Sequence, residues 1–381
     1  MPSTRAAIPE QAKMRITDIQ LRQYRWQRET PIRNGMHSYA SSGLSLLQID
    51  TDAGLTGIGW AGLPQTQGMA KVGQGLLEHF KPLLIGADPF NYRRIWESLW
   101  VPKLVGRRGL STRFISGIDI AIWDLLGKAT GKSVHKLLGA ARDRVPAYIA
   151  GGYYEDGKGL RDLAAEMEEN LALGARAVKM KIGGASIAED VERVRVVRGA
   201  IGAGIKLMVD ANCAYSRREA INIARKIEPY DIFWFEEPLP ADDYRGHGKL
   251  ADATSIPIAT GENEYTRYGF RDLIANDAAA IYNADAQVLG GITEFMNVAA
   301  LASAHELHIA PHGDQEIHAH LVGAIPNGLI VEFYRETVDA NRGHIFNERL
   351  QLDQDGCLTI PDRPGLGATP NFDFLERFRV N

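Results

Sequence analysis

From about Arg144 to Tyr334 the sequence switches repeatedly between two hydrophobic periods, and no other feature limits the fold so tightly. The short apolar or β-branched runs VPAYIAGG, AVKMKIGG, IKLMVDAN, IFWFEEP, IPIATGEN, AIYNADAQ, HIAPHG and LIVEFY read as strands. Between several of them the apolar residues recur at helical spacing. SIAEDVERVRVVRGAIG opens with a capping box, Ser186 to Glu189, and places Ile187, Val191, Val194 and Ile201 on a stripe. SRREAINIARKI repeats the device with Ser216 and Glu219, and LRDLAAEMEENLALG puts Leu163, Met167 and Leu171 on one face before Gly174. Strands alternating with helices predict a parallel sheet, and eight strand-like runs favour a closed (β/α)8-type barrel over an open doubly wound sheet. No GxGxxG follows the first run, which counts against a dinucleotide fold.

The first 140 residues have another character. ITDIQLRQYRW and LSLLQIDTDAGLTGIGWAG predict antiparallel strands with an Asp-Ala-Gly turn, followed by helical segments. The expected organisation is a flexible tail at 1–13 (or a start placed upstream of MRITDIQ), an α+β domain at 14–140 and a barrel at 141–335. A segment at 336–381 then returns to the first domain. At 45% hydrophobic residues the 381-residue chain can bury a large core, and its formal charge of −4 gives no reason to expect nucleic acid or an anionic membrane as partner. No apolar run reaches the roughly 18 residues of a membrane span. Two cysteines, Cys213 and Cys357, make neither a CxxC pair nor a disulfide framework, and a reducing, cytoplasmic setting is expected.

Barrel enzymes carry their chemistry at the C-terminal ends of the strands. In order, these ends bring Lys179 and Lys181, Asp210 with Asn212, Glu236 with Glu237, Glu262, Asp285, His312 and Glu332. Lys179 and Lys181 alternate in one strand, so their like charges project to one face and need an opposite. Asp210, Glu236 and Glu262 recur once per βα unit, and three carboxylates at one mouth call for a divalent cation. All-oxygen ligands suit Mg2+. Taken singly, each motif has an ordinary structural reading as a cap, a solvated loop residue or an exposed strand face. Their ordered occurrence at successive strand ends separates this set from chance.

The ordered set KMK, VDAN, EEP, GEN, NADAQVLGGIT, APHG and VEFY resembles the enolase superfamily and, within it, the mandelate racemase subgroup, over nearly the whole chain. AGGYY, GKGL and VKMKIGG are most similar to its acid-sugar dehydratases, those acting on tartrate in particular. The resemblance implies a (β/α)7β TIM-type barrel with an α+β capping domain built from both chain ends. It also implies a Mg2+ site at Asp210, Glu236 and Glu262, and a dimer-based homo-oligomer, up to an octamer. The catalytic set would be Lys179, Lys181, Asp285, His312 and Glu332, with Lys181 and His312 on opposite faces of the substrate.

The expected reaction is dehydration of an aldonic or aldaric acid. Lys181 removes the α-proton, a metal-stabilised enediolate forms, and the β-hydroxyl leaves with a proton from His312 to give a 2-keto-3-deoxy acid. For Lys181 to act as a base, the neighbouring cations are expected to lower its pKa. Asp285, where cycloisomerases and dipeptide epimerases carry a second lysine, argues against those activities. A second reading is a two-base racemase or epimerase of a 2-hydroxy acid, and a third, of another class, is a non-catalytic barrel that binds a sugar acid. The loop TPIRNGMHSYASSG offers Arg33, Asn34 and His37 as a specificity lid, with Asn212 as a further substrate contact.

Overall fold

The computed structural model describes residues 14–66 and 68–380, so the tail expected at 1–13 lies outside the described residues. The chain opens with a three-stranded antiparallel sheet in the order β1 (Ile16–Arg33), β2 (Ser38–Thr51), β3 (Thr56–Ala61). Ile19 pairs with Ile49 and Leu21 with Leu47, and all four are buried. The Asp-Ala-Gly turn forms between β2 and β3. Gly54 has φ +71° and donates its N–H to the Thr51 carbonyl at 3.1 Å.

The helix Leu110–Thr130 packs on this sheet and is buried over most of its length. The sequence TGIGWA allows that contact to be unusually close. A Cβ added at Gly57 would stand 2.2 Å from the Ala121 carbonyl oxygen, and one at Gly59 would stand 2.3 Å from that of Gly117. Strand and helix backbones therefore touch where any side chain would hold them apart.

Eight parallel strands follow: β4 (Arg144–Gly151), β5 (Ala177–Lys181), β6 (Lys206–Asp210), β7 (Ile232–Glu236), β8 (Ile258–Thr260), β9 (Ile281–Tyr282), β10 (His308–Ile309) and β11 (Val331–Tyr334). Their order in the sheet is β10-β9-β8-β7-β6-β5-β4-β11. The ring closes through the residues entering β11, where Ile309 donates to Asn327 at 3.0 Å and Leu329 donates to Ile309 at 2.8 Å. Both predicted capping boxes form: Ser186 and Glu189 start the helix Ile187–Ile201, and Ser216 and Glu219 start Arg217–Ile227. Tyr148, Met208, Trp234, Ile281 and Ile330 fill the barrel interior with small alanines between them.

The architecture is the (β/α)7β barrel with an antiparallel capping sheet, rather than the eight complete units that strand counting alone suggests. Beyond β11 the chain does not return as a helix against the barrel wall. Leu350, Leu352, Leu358 and Ile360 instead cover β4, β11 and the helix Gln315–Ala324, and β12 (Cys357–Thr359) pairs antiparallel with β4. The last residues reach the capping sheet, where Arg379 bridges Tyr24 and Phe378 packs 5.6 Å from Trp26.

Gly59→Ala is expected to destabilise the protein by about 1–3 kcal/mol, because the helix backbone must shift to admit the methyl group. Gly75→Ala in the exposed face of the helix Met69–Leu84, where nothing lies within 4 Å, is expected to be neutral or stabilising. Denaturant midpoints of the two variants check the contrast.

Candidate active site

Parallel register puts neighbouring strand ends at one level. Lys181 pairs with Asp210, and Asp210 pairs with Glu236. Glu262 follows β8 by two residues, and one carboxylate oxygen from each of Asp210, Glu236 and Glu262 lies within 4.8 Å of the others. Both lysines meet this group. The fully buried Lys179 Nζ is 2.7 Å from Glu236 Oε1, 2.8 Å from Glu332 Oε1 and 3.7 Å from Asp210 Oδ2. Lys181 Nζ is 2.5 Å from Asp210 Oδ2 and 5.2 Å from the centre of the Tyr153 ring.

On the far side of the cluster, His312 Nε2 is 3.8 Å from Glu262 Oε2. His312 Nδ1 lies 2.9 Å from Asp285 Oδ2, and Asp285 Oδ1 accepts the Gln287 N–H at 2.7 Å. In that pairing Nδ1–H donates to Asp285, which turns Nε2 towards the carboxylates. Glu332 Oε2 accepts the Gly313 N–H at 3.0 Å, which ties the His312 loop to β11.

The electrostatics follow from burial against charge. Burial pushes Glu236 up, Lys179 opposes it, and the neighbouring carboxylates leave its pKa at about 7. Burial also opposes the charge on Asp210, but Lys181 and Lys179 hold its pKa below the ordinary value. Glu332, against Lys179, stands at about 2 despite its burial. Burial disfavours the His312 cation, yet Glu262, Asp285 and Glu332 raise its pKa well above the ordinary value.

Lys181 departs from expectation. Burial lowers its pKa, but Asp210 and then Tyr153 outweigh burial and the repulsion from Lys179, so the net direction is upward. Its closest partner is an anion rather than another cation. The three-carboxylate cluster fits a hard divalent cation on two counts. Its donors are all oxygens, and Glu262 Oε2 is buried without a hydrogen-bond partner. Such an ion would share Asp210 with Lys181 and so weaken the contact that keeps the lysine protonated.

Glu237, next to Glu236, turns away with φ +39°, and both its oxygens meet Asn263 Nδ2, at 2.9 and 3.1 Å. Burial, then Glu262 and Asp210, push its carboxyl well above the usual range. Asn212 donates its backbone N–H to Asp210 Oδ1 at 2.8 Å, and its own side-chain Oδ1 is buried without a partner.

The lid residues divide. Residues 34–37 lie on the barrel mouth, since a Cβ at Gly35 would meet the Ala211 carbonyl oxygen at 2.3 Å and Ala214 Cβ at 2.8 Å. Asn34 holds the turn through its Oδ1, which accepts the N–H groups of Met36 and His37 at 2.9 and 2.7 Å. Arg33 is half exposed, forms a backbone bridge with Tyr154 and faces Asp156 at 4.0 Å. His37 is exposed and packs edge-on against Tyr39.

Tyrosines are what reading the sequence missed. Tyr39 receives a hydrogen bond from Asn34 Nδ2 at 3.0 Å, and its pKa is pushed to about 12, chiefly by burial. Tyr148 accepts from Lys179 at 3.2 Å, and Tyr334 OH lies 3.4 Å from His312 Nε2. Tyr148 and Tyr334 had position as their only signal, because AYI and EFY lie in barrel strands, and Tyr39 in the capping sheet had none.

Residues 162–374 match the enolase C-terminal domain-like family, and residues 16–139 match the mandelate racemase / muconate lactonizing enzyme N-terminal domain. The chain belongs to the enolase superfamily, in its mandelate racemase subgroup. It is 36% identical to arabinonate dehydratase of Saccharolobus solfataricus over 78% of this chain and 81% of that protein. It is 33% identical to D-galactarolactone cycloisomerase of Agrobacterium fabrum over 96% of this chain and 99% of the relative. Its fold superposes on the structure of L-talarate/galactarate dehydratase from Salmonella typhimurium liganded with Mg and L-lyxarohydroxamate with a TM-score of 0.88. The identity there is 33%, and the match covers 100% of this chain and 96% of that one. A cycloisomerase among these relatives means that Asp285 alone does not set this chain apart from that activity.

Asp210→Asn, Glu236→Gln and Glu262→Gln are each expected to weaken Mg2+ binding at least tenfold in calorimetric titration, whereas Glu237→Gln stays within about threefold of the parent. Gly35→Ala is expected to displace the lid, raising KM for substrate while leaving Mg2+ affinity unchanged.

Proposed function

We propose that this protein is a Mg2+-dependent dehydratase of an aldonic or aldaric acid, yielding a 2-keto-3-deoxy acid. The observation that carries this reading is the placement of Lys181 and the His312–Asp285 pair on opposite flanks of one carboxylate cluster, each beside a tyrosine suited to a polyhydroxylated substrate. Asp210, Glu236 and Glu262 would hold the ion. When bound there, Mg2+ supplies Lewis-acid stabilisation for the charge that develops on the substrate carboxylate as the α-proton leaves.

The protein's own groups divide the remaining work. Lys179, locked between Glu236 and Glu332, is a fixed cation beside that developing charge. Lys181 removes the α-proton once its contact with Asp210 is relieved. His312 is held protonated by Glu262 and Asp285, which suits it to give a proton to the departing β-hydroxyl. Tyr39 and Tyr153 form hydroxyl-bearing walls near Lys181, in keeping with a hydroxylated substrate rather than an aryl one. Relatives named for arabinonate and for talarate/galactarate support the substrate class. The free thiols Cys213 and Cys357 support a reducing, cytoplasmic setting. No helix among the described residues is long and apolar enough to cross a membrane.

The galactarolactone relative favours a second reading, cycloisomerisation of an acid-sugar lactone. A racemase would use the same two flanking groups. Screening acid sugars and their lactones with Mg2+ separates the three. Dehydration gives a 2-keto-3-deoxy product detectable with semicarbazide, cycloisomerisation consumes only a lactone, and racemisation exchanges the α-proton with D2O without a keto product. Absence of any turnover would leave a binding barrel.

For the dehydratase, Lys181→Ala is expected to abolish both product formation and α-proton exchange. His312→Asn is expected to lower dehydration by about 100-fold or more while exchange persists. Exchange surviving loss of Lys181 but not of His312 would reverse the two roles, as for a substrate of opposite configuration at C2.

A further inference from the structure

Arg342 belongs to the stretch that takes the place of an eighth helix, and it reaches back towards the barrel mouth. Its Nη2 lies 2.6 Å from Asp314 Oδ1, 2.8 Å from Gln315 Oε1 and 3.3 Å from Glu316 Oε2. Its guanidinium carbon stands 5.1 Å from the centre of the Tyr334 ring. Two of these partners lead directly to His312. The Tyr334 hydroxyl is 3.4 Å from His312 Nε2, and Asp314 is only two residues further along the chain.

Asp314 is a junction. While Oδ1 meets Arg342, Oδ2 accepts the Trp60 indole N–H at 2.6 Å and the Gln287 amide at 3.1 Å. Trp60 comes from the capping sheet. Gln287 donates its backbone N–H to Asp285, the carboxylate that holds His312.

The residue between His312 and Asp314 is Gly313, at φ +102°, where a Cβ would meet Asp285 Oδ2 at 2.9 Å. Glycine is required there and contributes little stiffness of its own, so contacts beyond it must fix the imidazole. Without a cation, Asp314 and Glu316 would repel one another, and Asp314 would be drawn from Trp60 and Gln287 towards water.

We propose that Arg342 is a positioning residue for His312, acting from one side through Asp314 and Gln287 on Asp285 and from the other through the ring of Tyr334. Arg342 contacts neither the metal cluster nor His312 itself. The three polar contacts all run through Nη2, so a lysine could reproduce part of them but not the guanidinium plane against the Tyr334 ring.

The test has two arms, using full-length wild type, Arg342→Lys and Arg342→Ala. The first is independent of any substrate. NMR of protein labelled with 15N-histidine reads the His312 ring, its signals assigned by their loss in His312→Asn. The proposal expects the His312 Nδ1 and Nε2 signals to shift or broaden in both Arg342 variants, and unchanged signals in both overturn it.

The second arm rests on the dehydratase reading and uses the acid sugar that the wild type turns over. Displacing an acid by about 1 Å costs about 100-fold, so kcat for dehydration in Arg342→Ala is expected to fall by about 10–100-fold. KM and Lys181-dependent α-proton exchange are expected to stay within about threefold, with Arg342→Lys intermediate in kcat. Dehydration and exchange falling by the same factor, or neither falling, overturns the proposal. If Arg342→Ala does not fold, Arg342→Lys carries both arms. If the wild type turns over no acid sugar, the dehydratase reading fails while the NMR arm still decides the role of Arg342.

Discussion

The buried ammonium of Lys179 is the interaction on which the barrel mouth depends. It lies in the middle of β5 with no exposure to water, between carboxylates from β6, β7 and β11. Charges taken out of water are tolerated only when paired and hydrogen-bonded, and loss of one partner from a buried set typically costs about 3–5 kcal/mol. Lys179 therefore neutralises Glu236 and Glu332, keeps them turned inward and joins β11 to the far side of the ring. At this level ion pairs add to the ladder in holding the strands together.

That arrangement still leaves acid in excess. Asp210, Glu236, Glu262, Asp285 and Glu332 share the mouth with Lys179, Lys181 and His312. Burial lifts Glu236 to about 7 and the neighbouring carboxylates add to that rise, while for Lys181 and His312 the same carboxylates outweigh burial and raise the pKa. A site built for a divalent ion should look like this: carboxylates too close to share with only side-chain cations. The resting protonation of Lys181 is a consequence of the same surplus, and its partner Asp210 is one of the three cluster carboxylates. Occupancy by an ion and the protonation of Lys181 would therefore be coupled through the Asp210 carboxylate.

Much of this could be read from the sequence because it is periodic. Strand ends in a parallel barrel share one level, so one functional residue per βα unit, as with Asp210, Glu236 and Glu262, is a local pattern with a three-dimensional meaning. The capping boxes at Ser186 and Ser216 were equally local. The missing eighth helix was harder to read, because β9 and β10 are only two residues long and the C-terminal segment has no period to mark what it replaces. Tyr39, Tyr148 and Tyr153 carry no spacing of their own. Arg342 is one of many arginines in the sequence, and its pairing with Asp314 depends on how an irregular segment folds back.

The lid shows why the substrate end stays hidden at the level of sequence. Arg33, Asn34 and His37 looked like donors for a hydroxylated ligand. Folded, Asn34 is committed to its own turn, and Arg33 runs as backbone against Tyr154. Tyr154 in turn reaches Asp190 beneath the loop that follows Lys181. The lid is thus fastened by main-chain bonds to Tyr154, just after β4, and Gly35 lets it lie flat on the loop after Asp210. A loop anchored in that way transmits its position to the site through backbone rather than through the side chains it displays. The shape of the mouth at this point is therefore set by main-chain packing more than by the polar side chains of residues 33–37.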